Sequence, residues 1–308
     1  MVSAPLAGRD AASSRASAGI SLMLFAMAIL PIMDAIGKHL GQLLPILLIV
    51  WGRMVFSTLF TLPAVLIRHD VTSAFTLQRP AIQVARSVLM VFSTMSFFSG
   101  LRYLPIADTL AIFFIMPLVV TALSPLVLGE QVGVRRWSAV VVGFIGTLII
   151  IRPGFHGANV GTLWALASGL SMALYMLLTR KIAGAMDALV NNFQTTLIGA
   201  ILVSFALPVV WQPPGLENWG LLAALGAVAA VGHYAMVRAY DYASAPTLAP
   251  LAYTEMVSAA VIGYLVFGDL PDGWTILGVA ILIASAIYIS YREGRLGRPR
   301  QAGDTATM

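Results

Sequence analysis

Ten apolar stretches joined by very short connections leave this chain few ways to fold. They cover residues 19–38, 45–67, 80–101, 105–128, 137–151, 160–180, 192–210, 219–239, 246–267 and 274–291. A bilayer core is crossed by about 20 mostly apolar residues in a helix. Each run is therefore expected to span, and no connection has room for a domain outside the membrane. The fifth run is short, which suits a helix standing upright or in a thinned patch. The expected fold class is an all-α membrane protein with ten transmembrane helices. Composition agrees: the 308 residues are 59% hydrophobic and 10% charged, against about 25% charged in soluble domains. Cysteine is absent, which excludes disulfides and thiolate metal sites.

The 18 lysines and arginines set the orientation. With the N-terminus in the cytoplasm, all but five fall in cytoplasmic segments. Lys38, Arg102 and Arg152 fall outside, and Arg53 and Arg86 lie within spans. Positive charge collects on the cytoplasmic side, so both termini are expected there. This distribution explains the net charge of +5 as a topology signal, without nucleic acid. The Ala/Ser-rich start runs directly into apolar sequence, and no small-residue cleavage site precedes a soluble domain.

The chain also repeats itself. Residues 106–130, IADTLAIFFIMPLVVTALSPLVLGE, echo residues 245–269, APTLAPLAYTEMVSAAVIGYLVFGD, when Gly129-Glu130 is laid on Gly268-Asp269. At that spacing of 139, Tyr103 falls on Tyr242 and Met116 on Glu255. In each half the acidic end is followed by a short polar loop, a Trp and a Gly-containing apolar helix. Two halves of five spans follow, and an odd number means that the second half enters the membrane inverted. The expected segments are a tail at 1–18, repeats at 19–152 and 153–291, and a basic tail at 292–308. Inverted repeats are a carrier architecture with the substrate near the midplane.

The pattern P-I-A-D, then apolar residues with an internal proline, L-G-E, R-R-W and a Gly-rich helix, given twice over ten spans, resembles the EamA-type drug/metabolite transporters. Within that family, the stretches Asp34-Ala-Ile-Gly-Lys38 and Tyr253-Thr-Glu255 are most similar to bacterial uptake carriers for S-adenosylmethionine and riboflavin. The resemblance implies a multi-pass protein of the bacterial inner membrane that moves a small organic metabolite. An amino-acid or drug exporter is the alternative within the family. Met256 stands where the family usually has proline, so a kink at that point of the ninth span is less firmly expected, while Pro246 and Pro250 are expected to bend the span nearer the cytoplasm.

Glu255 lies about 15 Å into its span at 1.5 Å per residue, near the bilayer centre. A carboxylate at that depth needs a partner, a proton or a purpose. It is read as exchanging a proton during transport or balancing a cationic substrate group, against a structural ion pair between helices. Asp34 and Lys38 are one turn apart near the outer end of the first span, where Pro31 should loosen the helix. Arg53, in the antiparallel second span, lies at a depth similar to Asp34, which allows a pair that serves as a gate or a substrate contact. Arg86 and His233 are cavity candidates for an anion or a ring. Phe113, Met116, Tyr175 and Tyr253 are candidates for stacking on a planar substrate. Glu130 and Asp269 read as interfacial punctuation, and Asp108 as a charge favoured by a helix N-terminus.

Enzyme chemistry finds little support. There is no HExxH, no G-x-S-x-G and no Walker loop. His39, His69 and His156 fall near span ends, so no metal site or cofactor is expected. A membrane enzyme would need a second mid-depth carboxylate, and a channel a continuous polar lining. Without an ATP-binding domain, transport is expected to draw on a gradient, such as protons, or on exchange.

Overall fold

The structure, a computed structural model, describes residues 6–129, 133–152, 159–182, 187–243 and 245–296. Among these the regular elements are all helical. The order is α1 (Leu6–Leu43), α2 (Ile46–Arg68), α3 (Val71–Phe75), α4 (Pro80–Leu101), α5 (Ile106–Phe113), α6 (Met116–Leu128) and α7 (Val134–Ile151). It continues with α8 (Val160–Lys181), α9 (Ala188–Val210), α10 (Leu216–Tyr242), α11 (Ala245–Leu248), a 3₁₀ segment (Ala249–Tyr253), α12 (Thr254–Phe267) and α13 (Gly273–Leu296). Seven spans are long and apolar enough to cross a membrane, and three shorter apolar helices accompany them, Val140–Ile151, Leu251–Phe267 and Gly273–Ser285. Large apolar side chains such as Leu126, Phe205, Val209 and Leu265 stand exposed on the outside, as lipid rather than water would allow.

Local chemistry sets the helix ends. Pro45 and Pro105 precede α2 and α5, where a missing N–H removes no helix bond. Asn159 opens α8 with a reciprocal capping box to Thr162. The Asp187 side chain accepts from the Leu189 amide at the start of α9. Gly129 and Gly268 close α6 and α12 at φ of 71° and 73°, a left-handed conformation that suits glycine. They are the two glycines that the sequence repeat superposes.

The helices depart from the sequence expectations at several points. The fourth run is broken: α5 stops at Phe113 and α6 begins at Met116. Pro117 lacks an amide and its ring crowds the carbonyl four residues back, so the helix restarts around it. The ninth run is interrupted ahead of Met256, by the 3₁₀ segment that opens with Ala249-Pro250, where Pro250 is expected to bend it. Conversely, α1 passes through Pro31 without a break. The short fifth run gains residues at its start, making α7 an 18-residue helix.

The helices pack in a regular pattern. α1 lies on α10, α4 on α8, α2 on α9 and α7 on α13. A shift of 139 residues carries the first contact onto the second and relates the members of the last two. Small residues allow close approach, a common device between membrane helices. A Cβ added at Gly226 would lie 2.9 Å from the α2 backbone at Phe56 and Ser57. Ser57 uses that proximity to donate its hydroxyl to the Gly226 carbonyl at 3.1 Å. Likewise a Cβ at Gly146 of α7 would stand 3.0 Å from the Gly278 carbonyl oxygen of α13.

At one end of the bundle the surface contacts are ionic. Lys38 of α1 meets Asp269, just past α12, at 2.5 Å, with its ammonium 4.8 Å from the Phe267 ring centroid. Arg152 meets Asp272. Asp269 is therefore more than punctuation, while Glu130 lies outside the described residues. Burial opposes ionisation of Asp272, but hydrogen bonds from Thr275 and the Arg152 guanidinium outweigh it and hold this carboxyl below its ordinary 3.8. A depressed carboxylate contributes stability above its ordinary pKa and loses it as pH falls through the lowered value. Asp272→Asn should therefore flatten the acid limb of a melting-temperature profile below about pH 4. The side chain is substantially exposed, so the effect should stay within about 1 kcal/mol. An unchanged acid limb would remove the linkage.

Candidate functional site

Three charged side chains converge in the middle of the bundle. Asp34 lies roughly 13 Å from the C-terminal end of α1 and Arg53 roughly 11 Å from the start of antiparallel α2, at 1.5 Å per residue. Asp34 is only 2% exposed and Arg53 8%. They are within electrostatic range of each other, and Asp34 is within range of Glu255. The break before α12 puts Glu255 in the first turn of that helix, partly buried.

The hydrogen bonding of this group is incomplete. Arg53 gives its Nη1 to the Thr94 hydroxyl of α4 rather than forming the direct pair with Asp34 that depth alone allowed. Among the described residues, neither Asp34 nor Glu255 makes a hydrogen bond or a close ion pair. Buried polar groups nearly always find partners, and carboxylates inside a membrane more so. Two acceptors left open distinguish this group from the paired charges at the end of the bundle.

Arg53 also lines a small cavity with Met54, Ser57, Met90, Asn192, Thr196, Ala229, Ala230 and His233. Its free volume is about 10 Å³, room for a water-sized body and far below the roughly 300–1,000 Å³ of a ligand pocket. His233 bonds the Ala229 carbonyl through Nδ1 at 2.7 Å, so Nδ1 carries the donor proton and Nε2 remains for another partner. Arg53 and Asn192, Ser57 and Thr196, and Met90 and Ala229 are each separated by 139 residues. The cavity thus draws matching positions from both halves.

Aromatic rings gather at the helix breaks. Phe114 and Tyr253, again 139 apart, lie 5.0 Å between centroids with a 33° tilt. Phe113 packs edge-on against Phe97 at 5.4 Å and against Phe114 at 6.2 Å. Met116 is buried at the start of α6. The candidates Phe113, Met116, Tyr253 and Glu255 therefore share the neighbourhood of the two breaks.

Arg86 belongs to a second cluster and is fully buried. Its Nε donates to the Thr179 hydroxyl at 2.9 Å, its Nη1 to Gln83 and to Asn191 at 2.5 Å, and its Nη2 to the Tyr175 hydroxyl at 3.2 Å. The guanidinium also stands 4.9 Å from the Tyr175 ring centroid. Gln194 extends the network, accepting from Gln83 at 3.1 Å and donating to the Ala74 and Thr76 carbonyls. Arg86 and Tyr175 act together here as a neutral-partnered clamp joining α4, α8 and α9. Attention to charges alone overlooked Gln83, Asn191 and Gln194. Their signal was an amide side chain inside an apolar run.

Known proteins give this arrangement a lineage. The model of the EamA-like transporter family matches residues 17–152 and again 159–291. An S-adenosylmethionine uptake transporter of Rickettsia prowazekii (strain Madrid E) is 28% identical over 278 residues, covering 89% of this chain and 93% of that protein. A riboflavin transporter of Vibrio cholerae is 31% identical over 195 residues, covering 63% of this chain and 65% of that one. The pseudopaline exporter CntI of Pseudomonas aeruginosa is 27% identical over 283 residues, covering 88% of this chain and 95% of that protein. One solved crystal structure superposes with a TM-score of 0.62 at 17% identity, over 93% of this chain and 99% of its own, which shows a shared fold. The chain therefore belongs to the EamA-like transporter family: it is a multi-pass inner-membrane transporter of small metabolites, and not an enzyme.

Proposed function

We propose that this transporter is a secondary carrier that takes up a nucleoside-like or planar metabolite, of the S-adenosylmethionine or riboflavin kind, by alternating access. Its two halves, 19–152 and 153–291, act as inverted five-span repeats, with both termini in the cytoplasm. The observation that carries this reading is the central trio of Asp34, Arg53 and Glu255, with its two carboxylates unpartnered between elements of both halves. The matched helix contacts, the paired breaks in the fourth and ninth spans, and the glycine caps 139 residues apart support the repeat. The crowding of lysine and arginine on one side supports the orientation. The ionic contacts Lys38–Asp269 and Arg152–Asp272 then close the outer side, and the Arg86 clamp closes the inner side. The likeness to an exporter over 88% of the chain favours reversibility, with direction set by gradients.

Counterflow in proteoliposomes tests this. Internal unlabelled substrate should accelerate saturable entry of labelled S-adenosylmethionine or riboflavin. A flux that stays linear with concentration and ignores internal substrate would argue for a pore.

A further inference from the structure

We propose that the central site is two-ended and selects a zwitterion bearing a further positive charge, in preference to a neutral planar molecule. This rests on the carrier reading above and specifies the substrate class at the same site. At one end, Arg53 shares its cavity with Ser57, Asn192, Thr196 and His233, a set rich in donors. Among the described residues its guanidinium has one hydrogen-bond acceptor, Thr94, on one nitrogen. That leaves donors for a planar carboxylate, which a guanidinium fork recognises in bidentate fashion.

At the other end stand Asp34 and Glu255, acceptor-only when ionised, buried or partly buried, and without a hydrogen-bond donor among the described residues. Glu255 follows Tyr253 by two residues, just past the break where Tyr253 packs on Phe114. Two open carboxylates, which only accept hydrogen bonds when ionised, suit positive charge. A neutral flavin would leave both unpaired in the dry centre. A molecule with one carboxylate and two cationic centres complements the trio without remainder. The amino-acid sulfonium of a nucleoside is such a molecule, and its uncharged thioether counterpart lacks one of the cations.

Affinity of the purified full-length protein for S-adenosylmethionine, S-adenosylhomocysteine and riboflavin tests this charge series, by ligand-induced thermal shift and by competition. The unmodified protein should prefer the sulfonium to the thioether by about tenfold or more, as a desolvated ion pair implies. Asp34→Asn and Glu255→Gln should each shrink that ratio toward one, while Arg53→Gln should weaken both nucleosides alike. Equal binding of sulfonium and thioether by the unmodified protein would overturn the proposal, and that comparison needs no variant to fold. Riboflavin counterflow without binding of S-adenosylmethionine would also overturn it while leaving the carrier reading intact. If none of the three binds, both the proposal and the substrate reading above fall.

Discussion

Glu255→Gln should cut transport by about a hundredfold or more while leaving the protein as stable as before, or slightly more so. The amide keeps the shape of the side chain, so packing at the start of α12 is preserved. What changes is charge. Removing one member of a desolvated charge pair with substrate is worth about 2–5 kcal/mol, and each 1.4 kcal/mol is about tenfold. Because Glu255 has no hydrogen-bond donor among the described residues to lose, the substitution strands none of them and relieves a charge within the membrane. Activity and stability should therefore move in opposite directions, as they do at sites kept for function. Parallel counterflow and melting measurements on one preparation check both. Undiminished transport would remove Glu255 from the site, and a large loss of stability would make it a structural residue.

Arg86→Ala should instead be felt mainly as stability. The substitution removes a fully buried guanidinium and leaves its acceptors on Gln83, Asn191, Tyr175 and Thr179 to find other donors. Each buried acceptor left open costs about 1–3 kcal/mol, and the vacated volume adds to that. Partial rearrangement of the amides should hold the total near 3–5 kcal/mol, readable as a lowered unfolding temperature in detergent. Arg86→Lys restores charge but not the fork, and should recover only part of the loss. If alanine melts like the unmodified protein, the clamp does not bind α4 to α8 and α9.

Much of this was legible before any coordinates. Long apolar runs and short connections announce membrane helices because hydrophobicity over about 20 residues is a one-dimensional property. The echo between 106–130 and 245–269 was legible for the same reason, but that its equivalent residues Phe114 and Tyr253 pack together came only from the structure. Helical rise put Asp34 and Arg53 at a common depth, though nearer the outer end than they lie, because the first helix runs on to Leu43. Contacts that depend on side-chain direction were less accessible. Depth could not reveal that Arg53 turns to Thr94, or that Lys38 bypasses Asp34 for Asp269, because both choices depend on the rotation of neighbouring helices. Nor could it show that Arg86 is held by amides and hydroxyls, since neutral polar residues carry no strong signal in an apolar stretch. The helix breaks fall between these cases: the prolines mark where a helix is weak, and packing decides whether it yields. α1 did not yield at Pro31, where it is packed along α10.

The two ends of the bundle are fastened by different chemistry, and the medium acts on them differently. Lys38–Asp269 and Arg152–Asp272 are partly exposed ion pairs, and dissolved ions screen such pairs over about 8 Å at physiological ionic strength. The Arg86 clamp is dry, and its partners carry no opposite charge for salt to compete with. Brine on the ionic face therefore loosens one closure and spares the other. With the ionic face outward, as proposed, added external salt would weaken that fastening alone and shift the resting bias between facing states.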